Sequence, residues 1–204
     1  MRIVATADTH MPKRAKTLPA VLQAALGSAD HIIHAGDITM PDILDMLAAF
    51  ASVTAVAGNA DDEALRLALD ERRILRTGRF RVGVCHGHGT RGKTLDRALA
   101  AFDGQQVDAV VFGHSHIPYL GIHNGVLMLN PGSPTDKRRN PYFSYGMIEA
   151  GETLSARIVY FDEYGHIIGS SCYPDIYACC EPCMFCVTEA VRSGVWGYCL
   201  AMPL

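Results

Sequence analysis

The sequence predicts an α/β fold built from two packed sheets, and three observations carry that expectation. Through residues 2–69, short apolar strands alternate with amphipathic helices, the pattern of parallel strands covered by helices. Beyond residue 70 strand pairs dominate, which calls for a second sheet against the first. Five apolar runs also end alike, in Asp8-Thr9-His10, Gly36-Asp37, Gly58-Asn59, His86-Gly87-His88 and Gly113-His114-Ser115-His116.

In order, a strand over 2–7 leads through Pro12 and a basic loop (Lys13, Arg14, Lys16) to a helix. Thr17 is placed to cap that helix and Gly27 to stop it, with Leu18, Val21, Leu22, Ala25 and Leu26 on one face. A strand over 31–35 follows, then a helix opened by Pro41, a strand over 53–57 and a short helix over 61–69. Strands are expected at 72–77 and 79–85, a helix at 94–102 and a strand at 107–112. Asn124-Gly125 joins strands at 119–123 and 126–129, a strong hairpin signal. A last hairpin pairs 142–149 with 154–161 over Gly151, extended by 166–169. The expected organisation is therefore a domain over 1–169 and an apolar, cysteine-rich extension over 170–204.

Composition narrows the partners. The 204 residues carry a net charge of −3, so no overall basic field draws the chain to nucleic acid. No run reaches the roughly 18 apolar residues of a membrane span, and the N-terminus enters a strand without a secretory signal. A cytoplasmic protein is expected, with homo-oligomerisation open. Cys85 stands alone before residue 172, and Cys172, Cys179, Cys180, Cys183, Cys186 and Cys199 crowd the end. Their C-x3-C-x2-C and C-x2-C-x2-C spacings admit a structural zinc site, a cluster, or an extension with no site.

The strand ends supply the chemistry. In Gly113-His114-Ser115-His116, imidazoles two residues apart on extended backbone point the same way. Asp8, His10, Asp37, Asn59, His86, His114 and His116 are too many ligands for one ion and suit two, four each if Asp37 bridges. Carboxylate, amide and imidazole donors without thiolates favour transition metals, manganese foremost, with iron, zinc or nickel as alternatives. Two divalent ions against two carboxylates leave a positive site suited to a phosphate ester, attacked by a metal-bridging hydroxide.

The motif series Asp8-x-His10, Gly36-Asp37, Gly58-Asn59, His86-Gly87-His88, Gly113-His114-x-His116 and Asn130-Pro131-Gly132-Ser133 resembles the calcineurin-like metallophosphoesterase superfamily, in particular its small prokaryotic phosphodiesterase branch. The resemblance spans residues 1–165 and implies a two-layer β-sandwich flanked by helices. It implies one metal on Asp8, His10, Asp37 and His116, and another on Asp37, Asn59, His86 and His114. His88 then sits behind the ligands or touches substrate, and His34 is read as a supporting or core residue. His31, His123 and His166 read as structural or solvated. Many members of the superfamily have a histidine after the asparagine, taken to assist the leaving group. Here Ala60-Asp61 follows Asn59, where the small branch often has Cys-Asp, so Asp61 joins His88 and Asp37 as a catalytic candidate.

The basic residues Arg91, Lys93, Lys137, Arg138 and Arg139 read either as a clamp for a second phosphate or as solvated loop charge. Two other functions fit the motifs. One is an interaction scaffold like the retromer vacuolar-sorting subunit, which has similar Asn-Pro-Gly-Ser and Gly-His-x-His segments. The other is a monoesterase or dinucleoside polyphosphate hydrolase on the same site.

Overall fold

Successive strand residues face opposite sides of a sheet, and here that alternation sorts the apolar residues into layers. Ile3, Ala5 and Ile33 join Val82, Val84, Ala109, Val111 and Ile148 in a core between two sheets. Their neighbours Val4 and Ile32 pack outward beneath Leu22, Leu26, Leu47 and Leu65 of three helices. Cys85, Val110, Phe112 and Met128 face outward from the second sheet, under Ala98 and Phe102.

The computed structural model describes residues 1–173 and 199–200. In chain order the elements are β1 (Arg2–Thr6), α1 (Ala20–Leu26), β2 (His31–His34), α2 (Asp42–Ala48), β3 (Ser52–Ala55), α3 (Glu63–Ala68), β4 (Arg72–Thr77), β5 (Phe80–Cys85) and α4 (Thr94–Ala100). Then come β6 (Ala109–Phe112), β7 (Tyr119–His123), β8 (Val126–Asn130), β9 (Phe143–Ala150), β10 (Leu154–Phe161), β11 (Ile167–Tyr173) and β12 (Cys199–Leu200). The first sheet runs β12-β11-β10-β9-β1-β2-β3 and the second β4-β5-β6-β8-β7. The strands β1, β2 and β3 are parallel, as are β5, β6 and β8, while β9 runs antiparallel beside β1.

Several element boundaries differ from expectation, and at three of them the local reason is visible. Helix α1 begins after Pro19, which takes the cap position without a side-chain hydrogen bond, and Thr17 stays outside. The side chain that closes this turn is Gln23, whose Nε2 donates to Leu18 O at 2.8 Å. Helix α3 begins at Glu63 because the Asp62 carboxylate accepts the Leu65 N–H, an N-cap that ends the preceding loop. Strand β11 continues past Gly169 to Tyr173, since residues 170–173 still pair with β10. The Asn124-Gly125 turn has positive φ at both residues, 52° and 81°, as the tightest hairpin turns require.

Of the tail cysteines, Cys179, Cys180, Cys183 and Cys186 lie outside the described residues, and with them the zinc and cluster readings. Among the described residues, no helix is long and apolar enough to cross a membrane.

Candidate metal centre

Parallel strands bring their carboxyl ends together, and open α/β sheets place ligands there. Asp8 and Asp37 follow β1 and β2 of one sheet, and His86 and His114 follow β5 and β6 of the other. The chain turns sharply at these ends on left-handed backbone. Asp8, His10, Asp37, His114 and His116 all have positive φ, between 45° and 68°. Such conformations are costly outside glycine and concentrate at functional sites. Two backbone bonds tie the loops: Asp8 N–H donates to Gly36 O at 3.0 Å, and His10 N–H to Asp37 O at 3.1 Å.

Glycine is required where these loops touch. Gly36 has φ +87°, and a Cβ there would lie 2.6 Å from His86 Nδ1. A Cβ on Gly58 would overlap the backbone nitrogen and carboxylate of Asp37.

The side chains converge. His86 Nε2 is 3.3 Å from Asp37 Oδ1 and 3.9 Å from Asp8 Oδ1. His116 Nε2 is 3.6 Å from Asp8 Oδ1, and His10 Nε2 is 3.5 Å from Asp37 Oδ2. The rings of His10 and His116 stack at 5.1 Å with their Nε2 atoms 3.2 Å apart. Two donor groups result, Asp8 with His10 and His116, and Asp8 with Asp37 and His86, each with all donor atoms within 4.8 Å of one another. Asp8 is thus the donor common to both groups, and Asp37 reaches both sides through separate oxygens.

Two rings have their tautomer set by a carbonyl. His86 Nδ1 donates to Ala35 O at 2.7 Å, and His116 Nδ1 to Asp136 O at 2.6 Å. A carbonyl only accepts, so Nδ1 carries the proton and Nε2 is turned to the cluster, the usual preparation of a metal-binding imidazole.

Electrostatics separate the two carboxylates. Burial pushes Asp8 up to about 7, against the opposing pull of His86. Burial also works against ionising Asp37, but the neighbouring His86, its Nε2 3.3 Å from Oδ1, and the Ala60 N–H at 2.7 Å hold it below the usual carboxylate range. His86 is likewise disfavoured by burial, yet Asp37 and Asp8 outweigh that and raise it. His114 is lowered to about 4, by burial first and then by His86.

These residues fit divalent cations. Asp8 Oδ2 and His86 Nε2 are buried and lack a hydrogen-bond partner among the described residues. Buried polar atoms are ordinarily paired, and a cation coordinated by them would satisfy both. Carboxylate and imidazole donors suit the transition metals named from sequence.

Of the carboxylates and imidazoles expected as ligands, His114 stays outside the two donor groups. The His114 ring lies edge-on to His86 at 5.2 Å, and its backbone N–H donates to Asp8 Oδ1 at 3.1 Å. Asn59 is exposed on its loop. His88 is exposed, its ring 5.5 Å from His86 and 6.4 Å from His114. Asp61 is buried with both oxygens engaged, accepting from Gly58 N–H at 2.6 Å and Thr39 N–H at 2.7 Å. It therefore locks the Asn59 loop to the Asp37 loop, while burial pushes its carboxyl up. His34 is buried, its Nε2 3.0 Å from Thr9 Oγ1.

Sequence reasoning missed the supports beneath the ligands. Ser133 Oγ donates to Asp8 O at 2.8 Å, Thr135 Oγ1 to Thr9 O at 2.6 Å, and Asn130 Nδ2 to Gly113 O at 2.9 Å. In the sequence, residues 130–133 stand out only as a motif. Asp136 had no signal, because its bond to His116 uses a backbone oxygen.

The comparisons give the family and the fold. A probable metallophosphoesterase of Methanocaldococcus jannaschii is 36% identical over 165 residues, covering 80% of this chain and 83% of the relative. Among solved structures, Vps29 of Chaetomium thermophilum superposes with a TM-score of 0.73 at 19% identity, over 84% of this chain and 96% of that one. Vps29 of Entamoeba histolytica, solved with zinc, gives 0.67 at 24% identity, over 84% and 97%. At these identities the two Vps29 structures show a shared fold. The family model of the calcineurin-like phosphoesterase superfamily domain matches residues 1–153, and the chain belongs to that superfamily.

Proposed function

We propose that this protein is a dinuclear metal-dependent phosphoesterase acting on phosphodiesters. The observation that carries the reading is the pair of donor groups meeting at Asp8, with two buried donor atoms left unpartnered. Asp8, His10, Asp37 and His116 would hold one ion, and Asp37, Asn59, His86 and His114 the other, with Asp8 close to both. Two such cations supply charge stabilisation to phosphoryl oxygens and lower the pKa of water toward about 7. Manganese is the first choice of metal, with iron, zinc and nickel as alternatives.

The chain's own residues do the rest. The Ala35 and Asp136 carbonyls orient His86 and His116. Asp61 fixes the Asn59 loop and has no free oxygen to deliver a proton. His88, exposed beside His86 and His114, is the side chain we assign to protonate a departing alkoxide. In the net reaction water adds to phosphorus, one ester P–O bond breaks, and the alcohol leaves with a proton. Because Ala60 stands where many relatives place a histidine, esters with acidic leaving groups should react fastest.

The test is metal-stripped protein reloaded with manganese, iron, zinc or nickel and assayed on aryl and alkyl diesters and monoesters. Metal-dependent turnover of diesters, steeply dependent on leaving-group pKa, is expected. Turnover that survives exhaustive chelation would refute the metal mechanism, and a preference for monoesters would refute the diester assignment. The likeness to Vps29 supports a second reading, a scaffold that binds metal without catalysis. Stoichiometric metal with no turnover of any ester would favour it.

A further inference from the structure

Two arginines converge beside the stacked histidines. Arg14 Nε lies 3.1 Å from Asp136 Oδ2, and Arg138 Nε lies 3.7 Å from the same oxygen. One carboxylate facing two guanidiniums leaves one positive charge uncompensated. Both guanidiniums are half exposed, whereas Asp136 is buried.

Their placement is tied to the metal centre from both sides. Arg14 N–H donates to His10 O at 3.0 Å, so this arginine is anchored on one stacked histidine. Asn140 Nδ2 donates to His116 O at 2.8 Å and to Lys137 O at 2.9 Å, anchoring the loop of Arg138 on the other. Arg138 itself sits at φ +48°. A non-glycine residue held in left-handed backbone beside a site is the kind of constraint that function retains. The other basic residues weighed from sequence behave differently. Lys137 Nζ donates to Asn140 O at 3.2 Å, and Arg91, Lys93 and Arg139 have no ion pair among the described residues.

We propose that Arg14 and Arg138 form a clamp for a second phosphate of the substrate, one that is not hydrolysed. The inference rests on the phosphoesterase reading and deepens it. Guanidinium forks match phosphate oxygens in geometry and charge. His116 Nδ1 lies 3.9 Å from the Asp136 oxygen that both guanidiniums face, so a second phosphate held there would be a near neighbour of one bound at the donor groups. It belongs either to a diphosphate chain or to a phosphate esterified elsewhere on the same alcohol.

The experiment compares three nitrophenyl esters with a common leaving group. One is bis(4-nitrophenyl) phosphate, one a nitrophenyl ester on the terminal phosphate of a nucleoside diphosphate, and one a nitrophenyl ester of a nucleoside 3′-phosphate carrying a 5′-phosphate. Wild type should prefer one of the two esters that carry a second phosphate, and whichever is preferred identifies the source of that phosphate. R14Q and R138Q should each lower kcat/KM for that ester about tenfold, the order expected for a lost charge-assisted bond, mainly through KM. R138K should recover part of the loss. No preference in wild type, or a preference unaltered in the R14Q/R138Q double variant, overturns the clamp. If no ester is turned over with any metal, the phosphoesterase reading fails, and calorimetry with inorganic pyrophosphate on metal-loaded protein decides the clamp alone. Weaker binding in the double variant then supports it, and equal binding overturns it.

Discussion

The Nδ1 of His116 lies 2.6 Å from the carbonyl oxygen of Asp136, a bond between two loops that meet only in the folded chain. It holds the imidazole by its far nitrogen and presents the near one to Asp8 and His10. The loop carrying Asp136 is in turn held by Asn140, whose amide reaches His116 O and Lys137 O. Asn140→Ala should therefore loosen the ring without replacing any metal-donor side chain. Metal affinity is expected to fall about tenfold, the lower end for lost outer supports. Calorimetric titration of stripped protein with manganese measures it, and an unchanged Kd would mean that Asp136 is held by other means.

Asp61 invites a sharper substitution. Both its oxygens accept backbone N–H groups, from Gly58 and Thr39. Asp61→Asn would set an amide N–H against one of those donors inside a buried site. A lost and opposed buried bond costs about 1–3 kcal/mol, read as a lower denaturation midpoint together with weaker metal binding. If stability is untouched and only turnover falls, Asp61 acts on the proton after all.

His34 makes the fold sensitive to acid. Buried next to Thr9, its imidazole is lowered to about 3, by burial first and then by His86. The unfolded chain binds that proton near pH 6.5. The contribution is therefore fully present above about pH 6.5 and lost as pH falls from there toward 3, at about 1.4 kcal/mol per unit at most. Denaturation of metal-free protein at pH 7 and pH 5 should show the loss, and His34→Gln should reduce it. An identical loss in the variant would assign the acid sensitivity to other groups.

Truncation tests the organisation proposed for the chain. A protein ending at Tyr173 keeps all of β11 and is expected to fold and bind metal. One ending at Gly169 forfeits the pairing of residues 170–173 with β10 and should melt several degrees lower. Equal melting temperatures would show that this half of β11 contributes nothing.

Cys85 offers a check on the core beneath α4. Its thiol is buried and pushed up to about 12, by burial first, so almost none is thiolate at pH 8. Iodoacetamide should leave it unmodified in native protein while modifying it after denaturation, as peptide mass mapping would show. Rapid native alkylation would place Cys85 at an accessible surface.

The layers were legible because apolar alternation and helical periodicity are written into single residues. Asn124-Gly125 announced its hairpin by the one requirement that both residues tolerate positive φ. Asp8, His10, Asp37, His86 and His116, the side chains that meet in the two donor groups, were legible as types at a spacing. What escaped was whatever depends on backbone atoms or on distant partners. Asp136 supports His116 through a carbonyl that every residue possesses, and Asp61 looked like a free acid until the Gly58 and Thr39 amides filled it. Thr17 looked like a cap because its residue type favours caps, whereas Pro19 took the position through its fixed φ. The meeting of both donor groups at Asp8 depends on how the two sheets face each other, which local sequence does not encode.

Left-handed backbone at Asp8, His10, Asp37, His114 and His116 also sets the evolutionary economics of the site. Each such residue holds a conformation that glycine would adopt with about 1 kcal/mol less strain. At His114, only partly buried, selection for stability alone favours glycine. A lineage released from the need for metal would drift downhill there, gaining robustness as it lost chemistry. An imidazole at that position therefore carries a strain that only a role for the ring would offset.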